Sequence, residues 1–287
     1  MTRWIERLED GLAMAAAATW VLLCARARAN ARGLVKARFA GMTLALPLLI
    51  GMSIPLLTSD LVILNSYVVD YALPLDTSLR WWHGQVPHLD CQTPIGAAYW
   101  LVQGLGVELT GLDPKSPLVA NMLVAVFLGL SGTILAWRRL SGGLAGLFLF
   151  AVLMMVISPR STGDLPGQMS FLGAYNKWAL GALAILFMAF FLEPRRRWRP
   201  AGRVSEALAV GSLLLLLVYL KVTLAAVAVA GAFFALHYAP ANRWLSLFGL
   251  VLAAAGVAVV ELAAGINGAY LSDIERASAS VPLLRLD

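Results

Sequence analysis

Charge is what this sequence has least of. Asp, Glu, Lys and Arg make up 13% of its 287 residues, against about 25% in an ordinary soluble domain. Hydrophobic residues make up 60%, and the mean hydropathy is +0.78. That balance excludes a soluble globular domain. Cysteine is nearly missing as well. Cys24 and Cys91 are the only two; they fall in segments expected on opposite sides of a membrane and lack metal-ligand spacing, which argues against a disulfide. There is no His/Cys cluster, Gly-rich nucleotide loop or nucleophile elbow, so no soluble nucleotide-sugar or ATP site is expected. No cofactor is expected, and nothing supports a divalent metal. No cleavable secretory signal is expected either. The first apolar stretch is preceded by Glu6, Glu9 and Asp10 and followed by arginines, the reverse of the secretory order.

What the chain has in quantity is apolar runs near the 18 to 20 residues needed to cross a bilayer. Only helices and closed barrels satisfy every backbone group in hydrocarbon, and Ala/Leu-rich runs without period-2 alternation select helices. The expected class is an all-α polytopic membrane protein forming a single membrane domain, 1–287. Residues 1–38 predict an interfacial helix, because the apolar centre 11–24 is short and Arg26, Arg28, Arg32, Lys36 and Arg38 follow it. A slanted span is the alternative. Seven spans are expected: 40–57, 118–137, 140–158, 175–192, two within 204–238, and 244–266. The stretch 204–238 is too long for one crossing and is broken once, at Lys221, which predicts two short helices meeting there. Residues 58–117 form one large loop, with a helix at 94–109 along or dipping into the interface. The polar tail 267–287 leaves the membrane.

Basic residues set the orientation. If 40–57 runs outward, the segments 26–38, 138–139, 195–203 and 243 share one side and carry thirteen Lys and Arg; the other side carries seven. The positive-inside rule then puts the large loop and the tail in the periplasm of a bacterial inner membrane. The net charge of +6 is accounted for by these clusters, so no nucleic-acid partner is expected; anionic lipids are.

The loop gathers most of the chemistry. It carries Asp70, Asp76, Asp90, His83, His88, Arg80 and Trp81-Trp82. A carboxylate held near the membrane surface can act as a general base for a hydroxyl, which makes Asp70 and Asp90 the catalytic candidates. Helix or loop capping is the other reading for both; for Asp76, in Asp76-Thr77-Ser78, a helix N-cap is preferred. Arg80, His88 and Gln92 are candidate substrate-binding residues. Trp81, Trp82, Tyr99 and Trp100 are expected as interfacial belt aromatics, with sugar stacking as an alternative. Lys177 and Lys221 face the same side. A lysine between apolar helices needs an anion or water, and a lipid-linked phosphate would supply one.

The order Asp70, Gly84, Val86-Pro87, Asp90 and Thr93-Pro94-Ile95-Gly96, leading into an aromatic-rich helix, resembles the first periplasmic loop of GT-C-type glycosyltransferases. These are the polyprenyl-phosphate-sugar-dependent membrane enzymes that include protein mannosyltransferases and lipid A aminoarabinose transferases. The segment QMSFLGAYNKWALG and the Leu220-Lys221 hairpin look like later pieces of bacterial members. The resemblance spans roughly residues 40–280. It implies inverting transfer of a sugar from a polyprenyl-phosphate carrier to an acceptor at the outer face. By position, Asp70 would activate the acceptor hydroxyl, and Asp90 would help to shape the site. The acidic pair often found at that position is here Asp70-Tyr71. Family members are usually longer, so a protein partner supplying the missing C-terminal part is a further expectation.

A second reading is a non-catalytic membrane subunit. It predicts that the Trp81–Trp100 surface and the small-residue stretches Gly142-Gly143 and Ala253–Gly256 bury against a foreign chain. A small-solute transporter is the weakest reading, because Glu206, Lys221 and Glu261 all fall near helix ends.

Overall fold

The computed structural model describes residues 68–158, 173–195 and 200–280. The expected N-terminal helix (1–38) and first span (40–57) lie outside the described residues. Every regular element among the described residues is helical: α1 (Val68–Trp82), α2 (Ala97–Thr110), α3 (Ser116–Arg139), α4 (Gly142–Ile157), α5 (Ala174–Phe191), α6 (Pro200–Leu220), α7 (Val222–Tyr238), a 3-10 turn (Pro240–Asn242), α8 (Arg243–Ala264) and α9 (Asn267–Ser280). Among the described residues, four helices are long and apolar enough to cross a membrane: Ser116–Arg139, Ala174–Phe191, Gly202–Leu220 and Pro240–Ala264. The apolar helices α4 and α7 have 16 and 17 residues. At 1.5 Å per residue, α4 is about 24 Å long, shorter than a hydrocarbon core of about 30 Å.

The chain breaks at Lys221, as its sequence predicts, with extended backbone between α6 and α7. Of the two helices meeting there, α6 is the longer, at 21 residues.

The bundle is centred on α3, α5 and α6, whose Leu128, Leu135, Ile185, Leu186, Leu213 and Leu217 are fully enclosed. Burial from water cannot draw helices together inside lipid, so close steric fit must do it. Small residues supply that fit between α6 and α8. A Cβ on Gly249 would fall 2.3 Å from Val210, one on Gly211 2.6 Å from Leu252, and one on Gly256 2.7 Å from Leu215. Ala253 is buried on the same helix. The small-residue face of α8 is therefore occupied by α6, not held open for a foreign chain. Tyr99 and Trp100 are likewise buried in the chain's own core, and a Cβ on Gly104 would strike the Trp81 ring at 2.2 Å. Trp82, by contrast, is half exposed, as a belt aromatic would be.

Polar contacts gather at two opposite poles. At one, Arg139 at the end of α3 donates to Glu206 Oε2 near the start of α6 from both terminal nitrogens (3.1 Å each). Its Nε donates to the Ala189 carbonyl near the end of α5 (3.1 Å). Asn242, leading into α8, donates to the carbonyls of Phe190 and Leu192 (2.9 and 3.0 Å). Arg138 Nε lies 3.1 Å from Glu206 Oε1 as an ion pair without hydrogen-bond alignment. Two helix ends and two helix starts thus converge on one buried charged knot.

The other pole holds the start of α5 and the ends of α4 and α6. Lys177 Nζ donates to the Ser158 carbonyl (3.0 Å), Tyr270 on α9 to the Val218 carbonyl (2.9 Å), and Tyr219 to Asn267 (2.6 Å). The six apolar helices therefore alternate in direction, and of the segments grouped on the Arg-rich side by sequence the described parts, Arg138-Arg139, Arg195 and Arg243, lie at one end.

Candidate functional site

The site at the second pole is built from the loop between α1 and α2 and from α9. Gly84, with φ +73°, ends α1: the Gly84 and Gln85 amides donate to the Trp81 and Arg80 carbonyls (2.8 and 3.0 Å), a Schellman cap that needs a left-handed residue. Asp90 then folds the next turn. Its Oδ2 accepts the Val86 amide (2.6 Å), and its own amide donates to the Val86 carbonyl (3.0 Å). His88 sits at φ +70°, a region that His tolerates better than most side chains. Gly96 seals the loop against the bundle, since a Cβ there would lie 2.0 Å from the Tyr219 carbonyl oxygen.

Asp273, on α9, ties the two parts together. Its Oδ2 lies 2.9 Å from His88 Nδ1 and accepts the Thr93 amide at 3.1 Å. An ionised carboxylate only accepts, so Nδ1 carries the proton and, in the neutral ring, Nε2 is left as a bare acceptor. The His88 side chain is fully buried and that of Asp273 is 5% exposed. Tyr270 packs against the imidazole with ring centroids 4.7 Å apart. Burial, followed by the neighbouring Tyr219, pushes the Tyr270 phenol up to about 12. His88 Nε2 has no hydrogen-bond partner among the described residues, and such a group costs about 1–3 kcal/mol unless something fills the place.

Between the loop and α9 lies a cavity of about 430 Å³, lined by His88, Asp90 and Gln92 on one wall and by Ser272, Asp273 and Arg276 on the other. Cys91 also lines it; burial pushes its thiol up, while the nearby Arg80 pulls the other way.

The sequence candidates divide accordingly. His88, Asp90 and Gln92 share the cavity. Arg80 does not: it pairs with Asp76 one turn back on α1 at 2.7 Å, on an exposed face. That contact also corrects the reading of Asp76. The helix spans Val68–Trp82 and runs through Pro74, so Asp76 is mid-helix and not an N-cap. Lys177 and Lys221 lie at the same pole but are held within the bundle, Lys177 by Ser158 and Lys221 by Asn176 and the Tyr175 ring. Asp70 stands in the first turn of α1; its side chain lies outside the described residues. Sequence reasoning missed Tyr270, Ser272, Asp273 and Arg276. Their signal was faint: Tyr270 and Asp273 repeat at helical spacing in a segment read only as a polar tail.

No family model matches the chain, and no curated protein or solved structure matches it. Among the described residues, no group of three or more His, Cys, Asp or Glu is placed to hold a metal ion.

Proposed function

We propose that this chain is a GT-C-like membrane glycosyltransferase, or a shortened relative of one, that moves a sugar from a polyprenyl-phosphate carrier to an acceptor. In this reading α3–α8 and the segment 40–57 make seven crossings. The pole carrying the cavity faces the periplasm of a bacterial inner membrane, and the Arg139–Glu206 pole faces the cytoplasm. Asp70 is the base for the acceptor hydroxyl, and Asp90 shapes the site.

One observation supports the reading most. Three residues singled out in the loop, His88, Asp90 and Gln92, line a single polar cavity at the pole away from the arginine knot. Catalysis at a membrane surface needs such a place, where ionisable groups meet a ligand without crossing hydrocarbon. Lys221, at the same pole, remains the cation best placed for a carrier phosphate; its present partners, an amide oxygen and an aromatic ring, are neutral.

The test is transfer by the purified chain in lipid nanodiscs, supplied with undecaprenyl-phosphate-linked monosaccharides and a membrane extract as acceptor. Transfer by the wild type, its loss in Asp70→Asn and its reduction in Asp90→Asn are expected. Absence of transfer from every carrier sugar would refute the reading.

One observation favours the second reading, a non-catalytic subunit. Only 11% of the apolar stretch of α8 is buried within the chain, and Trp244, Phe248, Val251, Val259 and Leu262 face outward. Lipid covers such a face as readily as protein does, so the transferase reading is preferred.

A further inference from the structure

We infer that the cavity between the first loop and α9 is the subsite for a neutral, hydroxyl-rich ring, an outer sugar-like unit of the acceptor held away from the Asp70 base, and not the subsite for the carrier phosphate. Two carboxylates, Asp90 and Asp273, and one guanidinium, Arg276, line the cavity. Protonation of His88 would at most balance the sum. An entering phosphate gains one favourable partner and meets two repulsive ones. The two lysines that could tip this balance are bonded elsewhere at the pole.

The donor and acceptor inventory then narrows the occupant. Asp90 and Asp273 accept, Arg276 donates, and Gln92 and Ser272 do both. A hydroxyl both donates and accepts, so a ring bearing several of them can satisfy walls of this mixed kind. His88 adds an independent pointer. It lines the cavity, its Nδ1 is fixed by Asp273, and its buried Nε2 lacks a partner among the described residues. The enclosed ring has no surface open to the cavity, so a ligand O–H would reach the Nε2 lone pair only on a small outward shift of the loop. The volume of about 430 Å³ falls in the range of small-ligand pockets, about 300–1,000 Å³. The α9 residues Ser272 and Arg276 thereby become specificity residues, and Asp273 a positioning residue acting through His88.

The assignment rests on the transferase reading for the role of the bound ring, though not for the binding itself. The experiment is saturation-transfer NMR on the full chain in nanodiscs free of glycolipid. The probes are methyl glycosides of common hexoses, the matching hexose 1-phosphates and inorganic phosphate. Gln92 is exposed and Ser272 half-buried, so Gln92→Ala and Ser272→Ala remove ligand contacts without disturbing the core. At least one neutral methyl glycoside is expected to bind and to slow alkylation of Cys91, with its affinity falling roughly fivefold or more in each variant. Inorganic phosphate is expected to do neither, and the 1-phosphates to bind no better than the neutral rings. The inference is overturned if no neutral glycoside binds, if phosphate alone protects Cys91, or if both variants bind as the wild type does. Binding without transfer from any carrier would refute the transferase and leave this site standing. Transfer undiminished in Gln92→Ala and Ser272→Ala would do the reverse.

Discussion

Asp273→Ala should free the first loop from the bundle. The carboxylate accepts two hydrogen bonds in a buried setting, one from His88 Nδ1 and one from the Thr93 amide. Hydrogen bonds to a charged acceptor are worth about 1.5–3 kcal/mol each. Losing both, with water free to enter the space vacated, costs about 3 kcal/mol. If amides in the loop exchange through local opening, that cost raises their exchange rates by more than about 100-fold. The assay is hydrogen exchange with mass spectrometry over residues 86–96, in nanodiscs, with Glu275→Ala on the same helix as the control. Glu275 is exposed, and its change should leave loop exchange where it was. Asp273→Asn keeps one acceptor oxygen and should fall between the two. Loop exchange in Asp273→Ala within about twofold of wild type would refute the reasoning, since the loop would then be held by something other than α9.

Three further outcomes follow from the same contacts. Gly96→Ala places a methyl 2.0 Å from a backbone carbonyl oxygen, an atom that cannot swing aside, so the loop must lift; the same exchange measurement should show lost protection over 86–96 while α3 and α5 stay protected. Glu206→Gln leaves the enclosed Arg139 guanidinium without its anion, which costs about 3–5 kcal/mol for a broken buried pair and should lower the thermal unfolding temperature clearly. The third concerns pH. The Tyr270 phenol is pushed up to about 12 in the folded chain from about 10 when unfolded, so its stabilising effect is complete below pH 10 and is lost as pH rises from about 10 to about 12. Tyr270→Phe should flatten the fall in stability over that interval, and an identical fall in the variant would contradict the burial argument.

Apolar runs in the sequence were enough to locate the helices of the bundle. The run 118–137 became Ser116–Arg139, 244–266 became Arg243–Ala264, and the break at Lys221 lies between α6 and α7. These features are local: length, composition and one charged interruption decide them. The candidate site was only half legible. The loop announced itself by gathering polar and aromatic residues in an apolar chain, but its partner lies 185 residues away at Asp273, in a stretch whose own composition suggests only a solvated tail. The arginine knot was equally hidden, because Arg139 and Glu206 each sit at a helix end where a topology signal or a solvated charge is the ordinary reading. Asp76 misled for a different reason. Asp-Thr-Ser has the chemistry of an N-cap, yet α1 continues through it, with Arg80 one turn on taking up the carboxylate.

The proposed function requires the cavity and the arginine knot to face opposite sides of the membrane. Single cysteines at Ser272 and at Glu193, each in a Cys24→Ser, Cys91→Ser background, can be exposed to a membrane-impermeant maleimide in right-side-out inner-membrane vesicles. Labelling of Ser272→Cys from outside, with Glu193→Cys labelled only after the vesicles are opened, is the expected result. Labelling of both from one side, or of Glu193→Cys alone from outside, would contradict it.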